Sequence, residues 1–130
     1  VNFFSKYKIV FYSINFFLIF LYLFPGSLLG YIIYNDISTQ PQISLNFIIS
    51  SNHFYAFVLI AFVGFLTFIK LEQNKYLIIY LISLSIILEL FHLIIPARSF
   101  QWSDLFGNLF GVIFVILINH FIKKYEFFKK

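Results

Sequence analysis

The sequence predicts an all-α membrane protein: one domain over residues 1–130, folded as a four-helix transmembrane bundle with both termini cytoplasmic. Three observations predict it. Mean hydropathy is +0.94, and 62% of residues are hydrophobic against 11% charged, more apolar surface than a soluble domain of this length can bury. Four apolar runs each approach the roughly 17–25 residues that a spanning helix requires. The cations fall almost entirely on one side of the bundle that those runs would form.

The elements follow in order. The first run extends from Ile9 to about Phe24, where Pro25-Gly26 ends it or kinks it towards Tyr34. Asn35 to Asn52 is the longest polar gap; within it, the apolar Ile43 to Ile49 is too short to span and reads as an interfacial segment. The second helix covers about 53–69 and the polar turn Lys70 to Lys75 closes it. The third covers about 76–95 and stops before Pro96. The fourth covers about 105–122. The first run has signal-like flanks but no small-residue cleavage site after it, and reads as a retained helix. Trp102, Tyr31 and Tyr34 fit an aromatic belt, and the many Phe residues are lipid-facing bulk.

Lys6 and Lys8 precede the first run, Lys70 and Lys75 separate the second from the third, and Lys123, Lys124, Lys129 and Lys130 follow the fourth. Arg98 alone lies on the opposite side. The positive-inside rule therefore places both termini in the cytoplasm and turns loops 35–52 and 96–104 outward. The expected location is a cell membrane, crossed several times, as in the bacterial inner membrane. The net charge of +4 serves orientation and does not indicate nucleic acid. With no cysteine, disulfides, thiolate catalysis and cysteine metal sites are excluded.

Against this background Glu89, His92, Arg98, Asp104 and Asn108 stand out. Ionisable side chains at the centre of a spanning helix cost about +2.5 to +3.5 kcal/mol each on insertion scales, and they gather where they are used. Glu89, His92 and Pro96 share one helical stripe, as do Asp104, Asn108 and Gly111. With His53 opening the second helix, all lie in the outer part of the membrane, and the economical arrangement is a polar pocket between helices two, three and four, open outward. Each has a structural alternative. Asp104 can cap the fourth helix, Asn108 can be interhelical glue, and Gly107-xxx-Gly111 can be packing alone. His53 can be an ordinary interfacial residue, and His120, near the cytoplasmic end, reads as structural. Glu89 needs a partner or a proton wherever it is buried. Arg98 is the single arginine beside eight lysines, which points to a role for the planar fork, either gripping an anionic group or pairing with Glu89 or Asp104.

Over roughly 49–115 the chain resembles the VanZ-like membrane proteins, a family named for teicoplanin resistance. Its pattern places Glu, then P-x-R, then D-x-x-x-N-x-x-G, matched here by Glu89, Pro96, Arg98, Asp104, Asn108 and Gly111. An upstream element ending in His-Phe is matched by His53-Phe54. His92 stands where the family has Gln, and Ile49-Ser50 stand where it has Asp-Lys, so a role that needs that outer pair is not carried over. The resemblance implies a cell-envelope protein with a link to glycopeptide susceptibility.

Three functions follow from different classes. The first, favoured here, is binding or modulation of an anionic lipid headgroup or lipid-linked envelope precursor, with His53, Glu89, His92, Arg98, Asp104 and Asn108 as ligand-binding residues and membrane lipids as partners. The second is an intramembrane enzyme with Glu89 and His92 as acid–base candidates. No nucleophile supports it, since Ser99 and Ser103 are loop serines. The third is a small oligomeric transporter, which lacks an internal repeat. No cofactor or metal is assigned: Glu89, His92, Asp104 and His53 offer ligand atoms, but Glu-x-x-His alone is a weak signal. The oligomeric state and the choice of ligand are not encoded in any motif.

Overall fold

A computed structural model describes residues 3–69 and 71–129. Lys70 and Lys130, two of the cations that set the expected orientation, lie outside the described residues. The fold is all-helical: α1 (Phe3–Leu23), α2 (Leu28–Tyr34), α3 (Ser51–Thr67), α4 (Leu71–Phe91) and α5 (Trp102–Lys129), with no strand among the described residues. Two of these helices are long and apolar enough to cross a membrane, Glu72–Phe91 and Trp102–Glu126, or up to three if the bent pair of α1 and α2 forms one span.

The first apolar run is broken as Pro25 dictates. Pro disfavours helical backbone at the residue before it, and Gly26 adopts φ 93, a left-handed conformation that suits glycine. The helix axis turns by 84° at this point. Ser27 then caps α2, its side-chain oxygen accepting from the Gly30 N–H at 2.9 Å. Asn35, at φ 54, closes α2 in the left-handed conformation. Asp36 follows and accepts from the backbone and hydroxyl of Ser38 and the hydroxyl of Thr39. Those bonds hold its carboxyl down to about 2. The loop is pressed on α2 at Gly30, where a Cβ would overlap the Thr39 carbonyl oxygen.

The apolar stretch 43–49 is not helical, and Ile43, Leu45, Phe47 and Ile48 all project outward. Its base is tied to α3: Ser51 donates to the Ser44 carbonyl at 2.7 Å, and the Ser51 N–H donates to Asn46 Oδ1 at 3.0 Å.

Every long helix differs at its ends from the sequence reading. The polar turn expected over Lys70 to Lys75 is, from Leu71 on, the first turn of α4, which starts there rather than at 76, because Glu72, Gln73, Asn74 and Lys75 are compatible with a helix end in water; α3 covers Ser51–Thr67 rather than 53–69. The third apolar helix, expected to reach residue 95, ends as α4 at Phe91, and the chain continues in tight turns, with Leu93 N–H on Leu90 O and Ile94 N–H on Phe91 O, both at 3.1 Å. The clash that Pro96 would make with a preceding helical turn unwinds the backbone well before the proline itself. Pro96 is thus not on the Glu89 stripe. The fourth helix, α5, runs past the expected 105–122 at both ends. It starts at Trp102, so Asp104 lies inside its first turn rather than capping it. α1 extends back to Phe3.

The core is formed by Phe11, Leu18, Phe57, Ile60, Leu81, Leu88, Val112 and Val115, drawn from α1, α3, α4 and α5. α5 packs most extensively on α3, and its two glycines explain how. A Cβ on Gly107 would lie 2.8 Å from Ser50 O, and one on Gly111 2.6 Å from Phe54 O. The GxxxG stripe therefore lets the two backbones approach closely. Large apolar side chains, such as Phe16, Phe17, Phe62, Ile79 and Phe121, cover the outside.

Candidate functional site

The antiparallel order of the helices brings four helix ends together. The C-terminal part of α1 supplies Tyr22, the start of α3 supplies His53, the end of α4 supplies Glu89, and the start of α5 supplies Asp104 and Asn108. His92 joins them from the turn after α4, held by its N–H on Glu89 O at 3.1 Å.

Glu89 is fully buried. Its Oε1 accepts from the Gln101 N–H at 3.0 Å, while Oε2 has no hydrogen bond. That oxygen lies 3.3 Å from His92 Nδ1, a distance suited to an ion pair in an orientation unsuited to a hydrogen bond. The other ring nitrogen, Nε2, is 2.9 Å from the Tyr22 carbonyl. A carbonyl only accepts, so Nε2 carries the proton. Nδ1 and Oε2 then face each other favourably only with a proton between them or a cation beside them.

His53 and Asp104 form the opening. Their side chains are 15% and 17% exposed, and His53 Nδ1 lies 3.0 Å from Asp104 Oδ1. Despite this distance, Nδ1 makes no hydrogen bond; the carboxylate lies off the direction of the ring nitrogen. Asn108 closes the inner side. It accepts from the Tyr22 hydroxyl at 2.8 Å and donates to the Ser85 carbonyl at 3.1 Å. Tyr22 is the hub, its ring centroid 5.0 Å from that of His53 and 5.8 Å from that of His92.

Arg98 sits at the rim. Its Nε donates to Phe24 O at 3.1 Å and its Nη2 to Leu21 O at 2.9 Å. The guanidinium therefore clamps carbonyls at the end of α1, groups a helix C-terminus leaves unpaired. No carboxylate lies within ion-pair distance of Arg98 among the described residues. The expected pairing with Glu89 or Asp104 is replaced by this carbonyl clamp. Partial desolvation pulls the Arg98 pKa below its ordinary value, though never near neutrality.

The six residues singled out in the sequence thus share one end of the bundle, with His53 at the mouth. Two features differ from expectation. The cluster also draws on α1, through Tyr22, and it is largely filled by its own hydrogen bonds. Two grooves lie elsewhere: one of about 450 Å³ beside Phe16, Phe20 and Phe24, and one of about 370 Å³ beside Tyr12, Tyr76 and Tyr80. The first is mostly apolar, whereas the second also carries Tyr12, Asn15, Gln73, Tyr76 and Tyr80, with the Tyr80 hydroxyl donating to Asn15 Oδ1 at 2.5 Å. His120 is exposed on α5, about 18 Å along the helix from Asn108 at 1.5 Å per residue.

Fold and site define an all-helical chain, compatible with a membrane protein, that buries an acid–imidazole cluster at one end of its bundle. No family model, curated protein or solved structure matches this chain.

Proposed function

We propose that the chain is a four-span, VanZ-like protein, both termini cytoplasmic, whose cluster binds an anionic lipid headgroup or lipid-linked envelope precursor at the outer leaflet. The observation that carries this reading is the charge arrangement. Each acid of the cluster faces an imidazole, Glu89 with His92 and Asp104 with His53. Asp104 and Glu89 act on Arg98, half-buried at the rim, only from beyond ion-pair distance, so among the described residues it lacks a direct anionic partner. A phosphate or carboxylate at the mouth would supply one. The surroundings suit a lipid: the apolar 43–49 loop and Trp102 are exposed near the same end, as expected of interfacial anchors. The lysines Lys8, Lys75, Lys123 and Lys124 mark the opposite end. A role in glycopeptide susceptibility would follow from the family resemblance.

The test is native mass spectrometry of the chain released from membranes in mild detergent. Wild type should retain an intact anionic lipid, and Arg98→Gln should weaken retention about tenfold or more, the equivalent of one charged hydrogen bond. Equal retention by folded wild type and Arg98→Gln would overturn the reading. Recovery of a cleaved headgroup would move the protein to the enzyme class.

A further inference from the structure

We propose that His53, Glu89 and Asp104 form a binding site for one first-row divalent metal ion, of which Zn²⁺ is the representative. The three residues are far apart in sequence and come from α3, α4 and α5, yet each offers a ligand atom, and these atoms all lie within 4.8 Å of one another. Tetrahedral zinc with bonds of about 2.0–2.2 Å holds its ligands roughly 3.3–3.6 Å apart. The separation of His53 Nδ1 from Asp104 Oδ1, 3.0 Å, and the outer limit of 4.8 Å bracket that value, so side-chain rotation suffices.

A second observation concerns the same residues: two of their atoms sit at ion-pair distance from a neighbour without completing a hydrogen bond. Among the described residues, two buried side-chain polar atoms lack any hydrogen bond: His53 Nδ1 and Glu89 Oε2. Both belong to this triad. A buried carboxylate oxygen without a donor is costly, and Glu89 is fully buried with its other oxygen already bonded to Gln101. A metal ion drawing on these residues would complete the shells of the two unbonded atoms and would balance two carboxylates brought close together. The donor set, one imidazole and two carboxylates, suits zinc, manganese or iron rather than the all-oxygen shells of magnesium or calcium. Three protein ligands leave a position open for water or an anionic ligand at the partly exposed mouth. The surroundings also supply an outer shell: Gln101 N–H orients Glu89, and His92 lies against its free oxygen. This departs from the sequence reading, which assigns no metal. It uses both acids and one imidazole of the same cluster, and it leaves Arg98, on which the headgroup reading turns, outside the metal site.

The experiment uses the untagged full-length chain in detergent, stripped with a chelator and titrated with Zn²⁺ by calorimetry. Wild type should bind one equivalent. His53→Ala and Asp104→Asn should each lose at least tenfold in affinity, whereas His120→Ala should bind as wild type. X-ray absorption at the zinc edge of the wild type needs no variant and should report a single imidazole with oxygen ligands. Absence of stoichiometric binding by wild type, a shell of two or more imidazoles, or binding that survives His53→Ala would overturn the proposal. Magnesium in place of Zn²⁺ should give no comparable binding, and equal binding of Mg²⁺ would refute the assigned metal class.

Discussion

At the scale of single residues, Arg98 shows how the structure changes the meaning of a legible signal. A lone arginine among lysines marks a position that uses the guanidinium fork, and the fork is used, but on the Leu21 and Phe24 carbonyls. Backbone acceptors have no sequence signature, so this partner was not readable. Arg98→Lys is therefore expected to lower stability by about 1.5–3 kcal/mol, the range for hydrogen bonds to a charged group, because an ammonium cannot reach two carbonyls in a planar arrangement. It should retain lipid better than Arg98→Gln, since the charge at the rim persists. A thermal-unfolding series in detergent tests this, and a Lys variant as stable as wild type would show that the clamp contributes nothing. Tyr22 is the residue that sequence reasoning missed. Its neighbours in the sequence are all apolar or aromatic, and it reads as one more belt tyrosine. The available signal was its place less than one turn before Pro25-Gly26, at the same end as His53 and Asp104. By contrast, Glu89, His92, Asp104 and Asn108 were legible because an ionisable or amide side chain in a hydrophobic run has few inexpensive solutions other than another polar group.

At the scale of elements, helix existence was legible and helix ends were not. Hydrophobic length identifies the four long helices, α1, α3, α4 and α5. Where each stops depends on local backbone geometry, as in the unwinding of α4 before Pro96 and the left-handed Ala97 at φ 61. The short α2 exists because Ser27 and Asn35 cap it, a feature hidden inside what reads as a continuing apolar run. The GxxxG stripe gives a prediction at this scale. Glycine to alanine inside a helix gains about 0.8–1.0 kcal/mol of propensity, which steric overlap must exceed to be destabilising. At Gly111 the added Cβ would lie 2.6 Å from a backbone oxygen of Phe54, which cannot move without shifting α3. At Gly64 it would meet only side-chain atoms of Leu77 and Phe11, at 3.0 to 3.1 Å. Gly111→Ala should therefore cost about 1–3 kcal/mol, as overpacking does, and Gly64→Ala should stay within about 1 kcal/mol of wild type, its propensity gain offsetting a mild contact. Unfolding midpoints of the two variants measure this directly, and the reverse order would show that α3 and α5 are not packed through these glycines.

At the scale of the whole molecule, the question is how many of the helices cross the bilayer. α4 and α5 meet the length and hydropathy expected of a span. α3 has 17 residues, or about 26 Å at 1.5 Å per residue, slightly less than a hydrocarbon core of about 30 Å. A short helix inside a bundle is accommodated by local thinning of the bilayer at a cost of fractions of a kcal/mol per Å. The α1–α2 break has the opposite character: after an 84° turn, α2 is directed away from the α1 axis, with Tyr31, Ile32, Ile33 and Tyr34 exposed, as suits a helix lying in the interface. The proposed four-span arrangement takes α1, α3, α4 and α5 as the spans, and it requires loop 35–50 and loop 92–101 to lie outside and the α3–α4 turn inside. The chain contains no cysteine, so single cysteines report cleanly on this arrangement. Gln40→Cys and Gln101→Cys, at exposed positions near the site, should react with a membrane-impermeant maleimide in intact cells. Glu72→Cys, exposed at the opposite end, should react only after permeabilisation. If α3 failed to cross, Gln40 and Glu72 would label alike, and the four-span reading would fall. If all three labels were reversed, the bundle would stand but the lysines would not set its orientation, and the acid–imidazole cluster would face the cytoplasm rather than the outer leaflet.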